Sequence, residues 1–272
     1  MIFVNVMMKM KRILSICLLL VACQNQDGSI EIKSKTRKTV QKTDFKGDSI
    51  YFDMMQSIDT DTSLLQASSL EYSGKGGKTY HTEGLIGINN RICKLKNTIN
   101  DTTQEIIDEF YYINSKKRVG SRLISHYNLE TAYFEQYISF FDTTGMLIYS
   151  GFKTFENMSM YEKTVFQETQ SLFGSDDQIA KDIIQQKGGF ETNFKGFIEL
   201  ESHNMEFIKV GSNDGSFNSL LAISEETDLL KKLKSNEKDF IGSPLRIEFT
   251  KATQADGFSF QMLLTISLQA EL

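Results

Sequence analysis

The chain has 272 residues, 40% of them hydrophobic and 24% charged. That is enough for one large domain or two ordinary ones, and it excludes a disordered or collagen-like chain. Its 20 Phe and 10 Tyr supply a core, its single proline (Pro244) excludes a proline-rich scaffold, and its formal charge is −5.

The chain begins with a basic cluster, Lys9, Lys11 and Arg12, followed by an apolar run from Ile13 to Ala22 and the polar Gln24-Asn25-Gln26-Asp27. These are the dimensions of a secretory signal peptide. At ~1.5 Å per residue the run covers only about half of a ~30 Å hydrocarbon core, too short to span it. Met8 or Met10 would start a signal of more ordinary length. Leu20-Val21-Ala22-Cys23 closes the run and resembles the lipobox of bacterial lipoproteins. The resemblance implies cleavage between Ala22 and Cys23, a diacylated Cys23 thiol, and a location in the bacterial cell envelope, at the outer membrane. The membrane is then a partner through those acyl chains, each buried CH₂ adding about 0.8 kcal/mol.

Removing residues 1–22 deletes Lys9, Lys11 and Arg12 and no acid, which takes the formal charge from −5 to −8. Such a chain has no basic face for phosphates, so nucleic acid is not an expected partner. Of the three cysteines, Cys17 leaves with the signal and Cys23 carries lipid, so Cys93 is alone and makes no internal disulfide. In Arg91-Ile92-Cys93-Lys94-Leu95 the inward positions are either 93 and 95 or 92 alone, and Cys93 reads as a small core side chain.

Residues 23–48 are Lys-, Thr-, Ser- and Asp-rich and read as a flexible tether. Within its end, Asp48-Ser49-Ile50 resembles the Asp-Ser/Thr-apolar acceptor of periplasmic O-glycosylation, which makes Ser49 a candidate site. A turn into an Ile50-Tyr51-Phe52 strand explains the same residues equally well.

Residues 49–155 alternate with period two, which predicts an antiparallel meander. One hairpin joins Tyr80–Ile88 to Arg91–Leu95 across Asn89-Asn90. Two similar units follow at a 25-residue offset, Tyr112-Ile113 with Gly120 and Tyr137-Ile138 with Gly145; duplication and coincidence fit them equally. The second turns at Asp142-Thr143-Thr144-Gly145. Residues 156–189 read as a helical connector, with a loose helical spacing from Tyr161 to Leu172 and a clean stripe at Ile179, Ala180, Ile183 and Ile184, ended by Gly188-Gly189.

From residue 190 to 272 the expected order is three strands (Phe194–Ser202, Met205–Val210, Phe217–Ile223), a helix (Glu225–Phe240) and two strands (Pro244–Lys251, Phe258–Leu268). That is the chain order of an OB-type barrel. The stretch Gly196 to Phe207, with Gly242-Ser243-Pro244-Leu245-Arg246-Ile247-Glu248 later, resembles the OB-like domains of some envelope-stress and copper-resistance lipoproteins, although their paired cysteines are missing. The expected fold is therefore mainly β with a few helices, an antiparallel meander followed by a five-stranded OB-like barrel with one helix, and residues 190–272 are expected to fold autonomously. Its expected core is Phe197, Leu200, Phe207, Leu220, Leu230, Leu233, Ile247, Phe249, Leu264 and Ile266, and by analogy with OB folds a partner face is expected near Phe207 and Phe217.

Motifs for chemistry are scarce. His81, His126 and His203 have no second ligand at metal-site spacing, and Gly74-Lys75-Gly76-Gly77-Lys78 lacks phosphate-loop spacing. Asp59-Thr60-Asp61 opens like a calcium loop but has Leu64 where Gly is required and Leu70 in place of Glu. Asn213-Asp214-Gly215-Ser216 reads as a turn. No cofactor, metal or catalysis is expected. The expected function is a lipid-anchored envelope protein that binds an envelope protein or small ligand; the alternatives are a structural subunit of an envelope assembly and an anchored hydrolase.

Overall fold

Period-two alternation builds most of the chain into antiparallel strands, and the protein is mainly β. A computed structural model describes residues 43–127, 132–170 and 176–269. They belong to one compact unit, Val40–Leu272. Ala22, Cys23 and residues 24–42 of the expected tether lie outside the described residues.

The first element departs from expectation. Ile50-Tyr51-Phe52 belongs to a helix, α1 (Ser49–Asp59), and not to a strand. Three β-prone residues in a row suggested a strand, but the deciding spacing is longer: Tyr51 and Ile58, two turns apart, are the buried pair of α1.

Two short strands, β1 (Leu65–Ser68) and β2 (Tyr72–Gly74), share one edge of β3 (Thr79–Gly87). The meander then runs through β4 (Arg91–Asn100), β5 (Gln104–Ile113), β6 (Lys116–His126), β7 (Tyr133–Phe141), β8 (Leu147–Phe155) and the two-residue β9 (Gln167–Glu168), each pairing with the next. The expected hairpins are present. Asn89 and Asn90 hold φ of 61° and 57°, Asn114 and Ser115 49° and 61°, and Gly145 92°, left-handed positions that tight hairpins demand.

Phe110 and Tyr111 are consecutive and both only 1% exposed, so the meander is covered on both faces. On one face α1 packs Tyr51 and Ile58 near Val119, Ile138, Phe140 and Tyr149. On the other, α2 (Gln178–Gln185) places Ala180 and Ile184 against Leu95, Phe110 and Tyr112. The looser helix expected from Tyr161 is absent among the described residues: Met158–Met160 is a single 3₁₀ turn, and β9 follows. Buried Phe166 (1% exposed) and the contacts of Tyr161 hold that segment to the sheet.

Three antiparallel strands follow, β10 (Asn193–Leu200), β11 (Met205–Gly211) and β12 (Phe217–Ala222). The expected helix is two pieces, α3 (Asp228–Ser235), capped by Thr227, and α4 (Glu237–Phe240), broken at Asn236. The last strands, β13 (Leu245–Thr253) and β14 (Ser259–Leu268), pair antiparallel, and β14 touches β12 in parallel at Ala222 and Met262. One bridge, Asn193 to Pro244, returns β13 to β10. This is the pairing order of an OB-type barrel, with the ring left open beyond that bridge.

The expected separation at residue 190 does not appear in the packing. β12 pairs with β2 as well as β14, and Leu70 and Tyr72 lie in one core with Phe194, Ile208, Leu221, Leu230, Leu233 and Leu245. Of the expected core, Phe207, Leu230, Leu233 and Ile247 are buried, and Phe197, Phe249 and Ile266 pack against it. Leu220 and Leu264 are exposed, while their neighbours Leu221 and Leu263 point inward. An apolar doublet does not fix the phase of a strand; pairing register does.

Candidate functional site

A groove of about 420 Å³ opens in the C-terminal half. One wall is apolar and comes from the antiparallel strands: Ile198 and Leu200 on β10, Phe207 on β11 and Leu220 on β12. The other wall is β13, β14 and the turn between them, which contribute Lys251, Thr253, Phe258, Ser259, Phe260 and Gln261, with Glu71 and Ser73 at its border.

Two loops close one end. The β10–β11 turn carries His203, whose ring stacks on Phe258 of the β13–β14 turn at 4.2 Å and 9°. Asn204 at φ 50° and Gly257 at φ 89° make these tight turns possible, and Gln254 donates to the Met205 sulfur at 3.2 Å.

Gln261, 8% exposed, staples the far side. Its Oε1 accepts from the Glu71 amide at 2.7 Å, and its Nε2 donates to the Ser219 hydroxyl at 2.9 Å. Lys251 Nζ lies 3.2 Å from His81 Nε2. Burial first, then the Lys251 charge, holds the His81 pKa below its ordinary value, so a neutral imidazole accepts from the ammonium. Its Nδ1 proton then faces the Ser69 hydroxyl, 3.4 Å away.

Phe207 and Phe217, near which a partner face is expected, lie in different surroundings. Phe207 is 5% exposed and lines the groove from below. Phe217 instead stacks on Phe190 at 4.2 Å and meets Tyr80 edge-on at 5.2 Å, inside the junction with the meander. Ser49 is exposed at the start of α1, beside Asp48, whose carboxylate accepts from the Thr43 amide and hydroxyl at 3.0 Å each. Cys93 is buried. His126 stacks on Tyr133 at 4.2 Å and sits 3.3 Å from the Glu135 carboxylate. The Asp214 turn is closed by Ser212 and Ser216, whose hydrogen bonds hold its carboxyl down to about 2. Among the described residues no cluster of three His, Cys, Asp or Glu is placed to hold a metal.

Two polar features escaped the sequence reading. Lys153 is 3% exposed, and burial pushes its amine down to about 8. It donates to the Tyr161 carbonyl at 2.6 Å and lies over the Tyr161 and Phe166 rings at 4.2 and 4.5 Å. The signal was present: Lys153 shares a strand face with Tyr149 and Phe155. Asp108, 3% exposed, is paired with Arg122.

A larger hollow, about 710 Å³, lies at the hairpin tips of the meander, between residues 88–91 and Lys181. Its lining mixes turn residues with Leu64, Ile92 and Tyr112, and its Lys181 is already paired with Asp177 at 2.7 Å. The smaller groove has the apolar wall and buried polar staple that a ligand site uses. No family model, curated protein or solved structure matches the chain.

Proposed function

We propose that this is a lipid-anchored protein of the bacterial cell envelope, held at the outer membrane by acyl chains on Cys23, that binds a small ligand in the groove of its C-terminal half without catalysing a reaction. The observation that carries the binding reading is the groove itself, whose apolar wall leaves Ile198 40% and Leu220 37% exposed beside a buried, fully engaged Gln261. Strands β11 and β12 and the two flanking turns are also the parts that OB-type barrels use for ligands, which is support by analogy of fold. The expected anchor agrees with the absence of any described helix long and apolar enough to cross a membrane.

The chain from residue 24 onward, titrated with the uncharged dye Nile red, tests the binding site. Saturable one-to-one binding is expected, lost in Leu220→Asp and in Ile198→Asp with the circular dichroism unchanged. Binding that does not saturate, or that both variants retain, overturns the assignment.

A further inference from the structure

The two walls of the groove differ in chemistry, and the difference defines a ligand. We propose that the groove takes a single-chain amphiphile with an anionic head, its apolar body on Ile198, Leu200, Phe207 and Leu220 and its head at Lys251. This rests on the reading of the groove as the binding site.

Lys251, Thr253 and Ser259 all line the polar wall of the groove. Lys251 and Thr253 are two residues apart on β13 and so face the same side. Thr253 is directly opposite Ser259 on β14, and their hydroxyls are 2.8 Å apart. One hydroxyl donates to the other, which leaves the second hydroxyl hydrogen available. The Lys251 ammonium lines the same groove; it makes no ion pair among the described residues, and the Glu83 carboxylate lies 4.0 Å from the His81 nitrogen that this ammonium contacts. Its close partner, His81, accepts a hydrogen bond and supplies no counter-charge. An ammonium without a direct ion pair and a free hydroxyl hydrogen in one groove are donors for a carboxylate-like head.

Glu71 borders the same groove, so a net positive field does not do the selecting. Its main chain is held by Gln261 on both sides, amide to Oε1 at 2.7 Å and carbonyl to Nε2 at 3.3 Å, and recognition of the head rests on direct hydrogen bonds from Lys251 and the hydroxyl pair. The opposite wall has no charged side chain, and it suits an alkyl body, for which burial is favourable in proportion to area.

The experiment compares laurate with 1-dodecanol, equal in chain length, by displacement of Nile red from the chain from residue 24 onward, below the aggregation concentration of either. Laurate is expected to bind at least about tenfold more tightly, the size of one charge-assisted hydrogen bond. Lys251→Met should remove that advantage and leave dodecanol within about twofold. Equal binding of the two compounds, or a laurate preference that survives Lys251→Met, overturns the anionic head and leaves the groove reading standing. If Nile red itself shows no saturable site, the groove reading fails and the inference fails with it.

Discussion

Asp108 holds Arg122 with both carboxylate oxygens, Oδ1 to Nε at 2.6 Å and Oδ2 to Nη2 at 2.9 Å, across directly paired positions of β5 and β6. The carboxylate is nearly buried while the guanidinium keeps 24% of its side chain in water. Taking away the acid leaves a half-buried, unpaired cation, the expensive way to break such a pair. Asp108→Ala is therefore expected to destabilise the protein by about 3 kcal/mol, and Asp108→Leu with Arg122→Met by much less. Urea unfolding of the two variants checks this, and equal losses would mean that the pair acts only through packing.

Lys153 gives the protein an alkaline dependence of stability. Its folded pKa of about 8 lies below the ordinary lysine value of 10.5 because burial penalises the charged amine. Between those values the unfolded chain holds a proton that the folded protein has lost, so stability rises with pH across that window and is flat in this respect below it. Thermal unfolding from pH 7.5 to 10.5 should show a rising contribution in the wild type that is absent from Lys153→Met. A difference between the two proteins that does not change with pH would place the proton elsewhere.

The anchor is tested by metabolic labelling with a clickable fatty acid. Label on the wild type and none on Cys23→Ser is expected; an unlabelled wild type, or equal label on both, removes the lipobox reading.

Much of the meander was legible because its turns are chemically explicit: Asn89-Asn90 and Asp142 to Gly145 can hold the left-handed backbone that hairpins need. The strand order of the C-terminal half was legible from alternation for the same reason. What local pattern could not supply was phase and partner. The doublets Leu220-Leu221 and Leu263-Leu264 read equally well in either orientation, and Leu220, an expected core residue, lines the groove. Residue type alone does not place Lys153 and Asp108 in the core, because a charged residue inside a strand is ordinarily on the wet face. The groove depends on turns more than 50 residues apart, His203 and Phe258, and no spacing rule reaches that far.

The last prediction concerns where the protein can be cut. Tyr72 is fully buried in the core of the C-terminal half, its ring edge-on to Phe190 at 5.3 Å and its hydroxyl donating to the Phe190 carbonyl at 2.7 Å. Leu70, also fully buried, belongs to the same cluster. β2 covers the first residues of β12, with Phe217 opposite Gly74 and Asn218 opposite Ser73. Residues 190–272 expressed alone lack all of this, and an ~80-residue barrel has little stability to spare. The fragment is expected to show no cooperative thermal transition, whereas residues 43–272 unfold cooperatively. In the full chain Tyr72→Ala should cost about 3–5 kcal/mol, the range for deleting a large buried ring. Tyr72→Phe, which strands only the Phe190 carbonyl, should cost about 1 kcal/mol. A fragment 190–272 with dispersed amide signals and a sharp melt, together with a Tyr72→Ala loss below 1 kcal/mol, would show that the barrel core closes without β2.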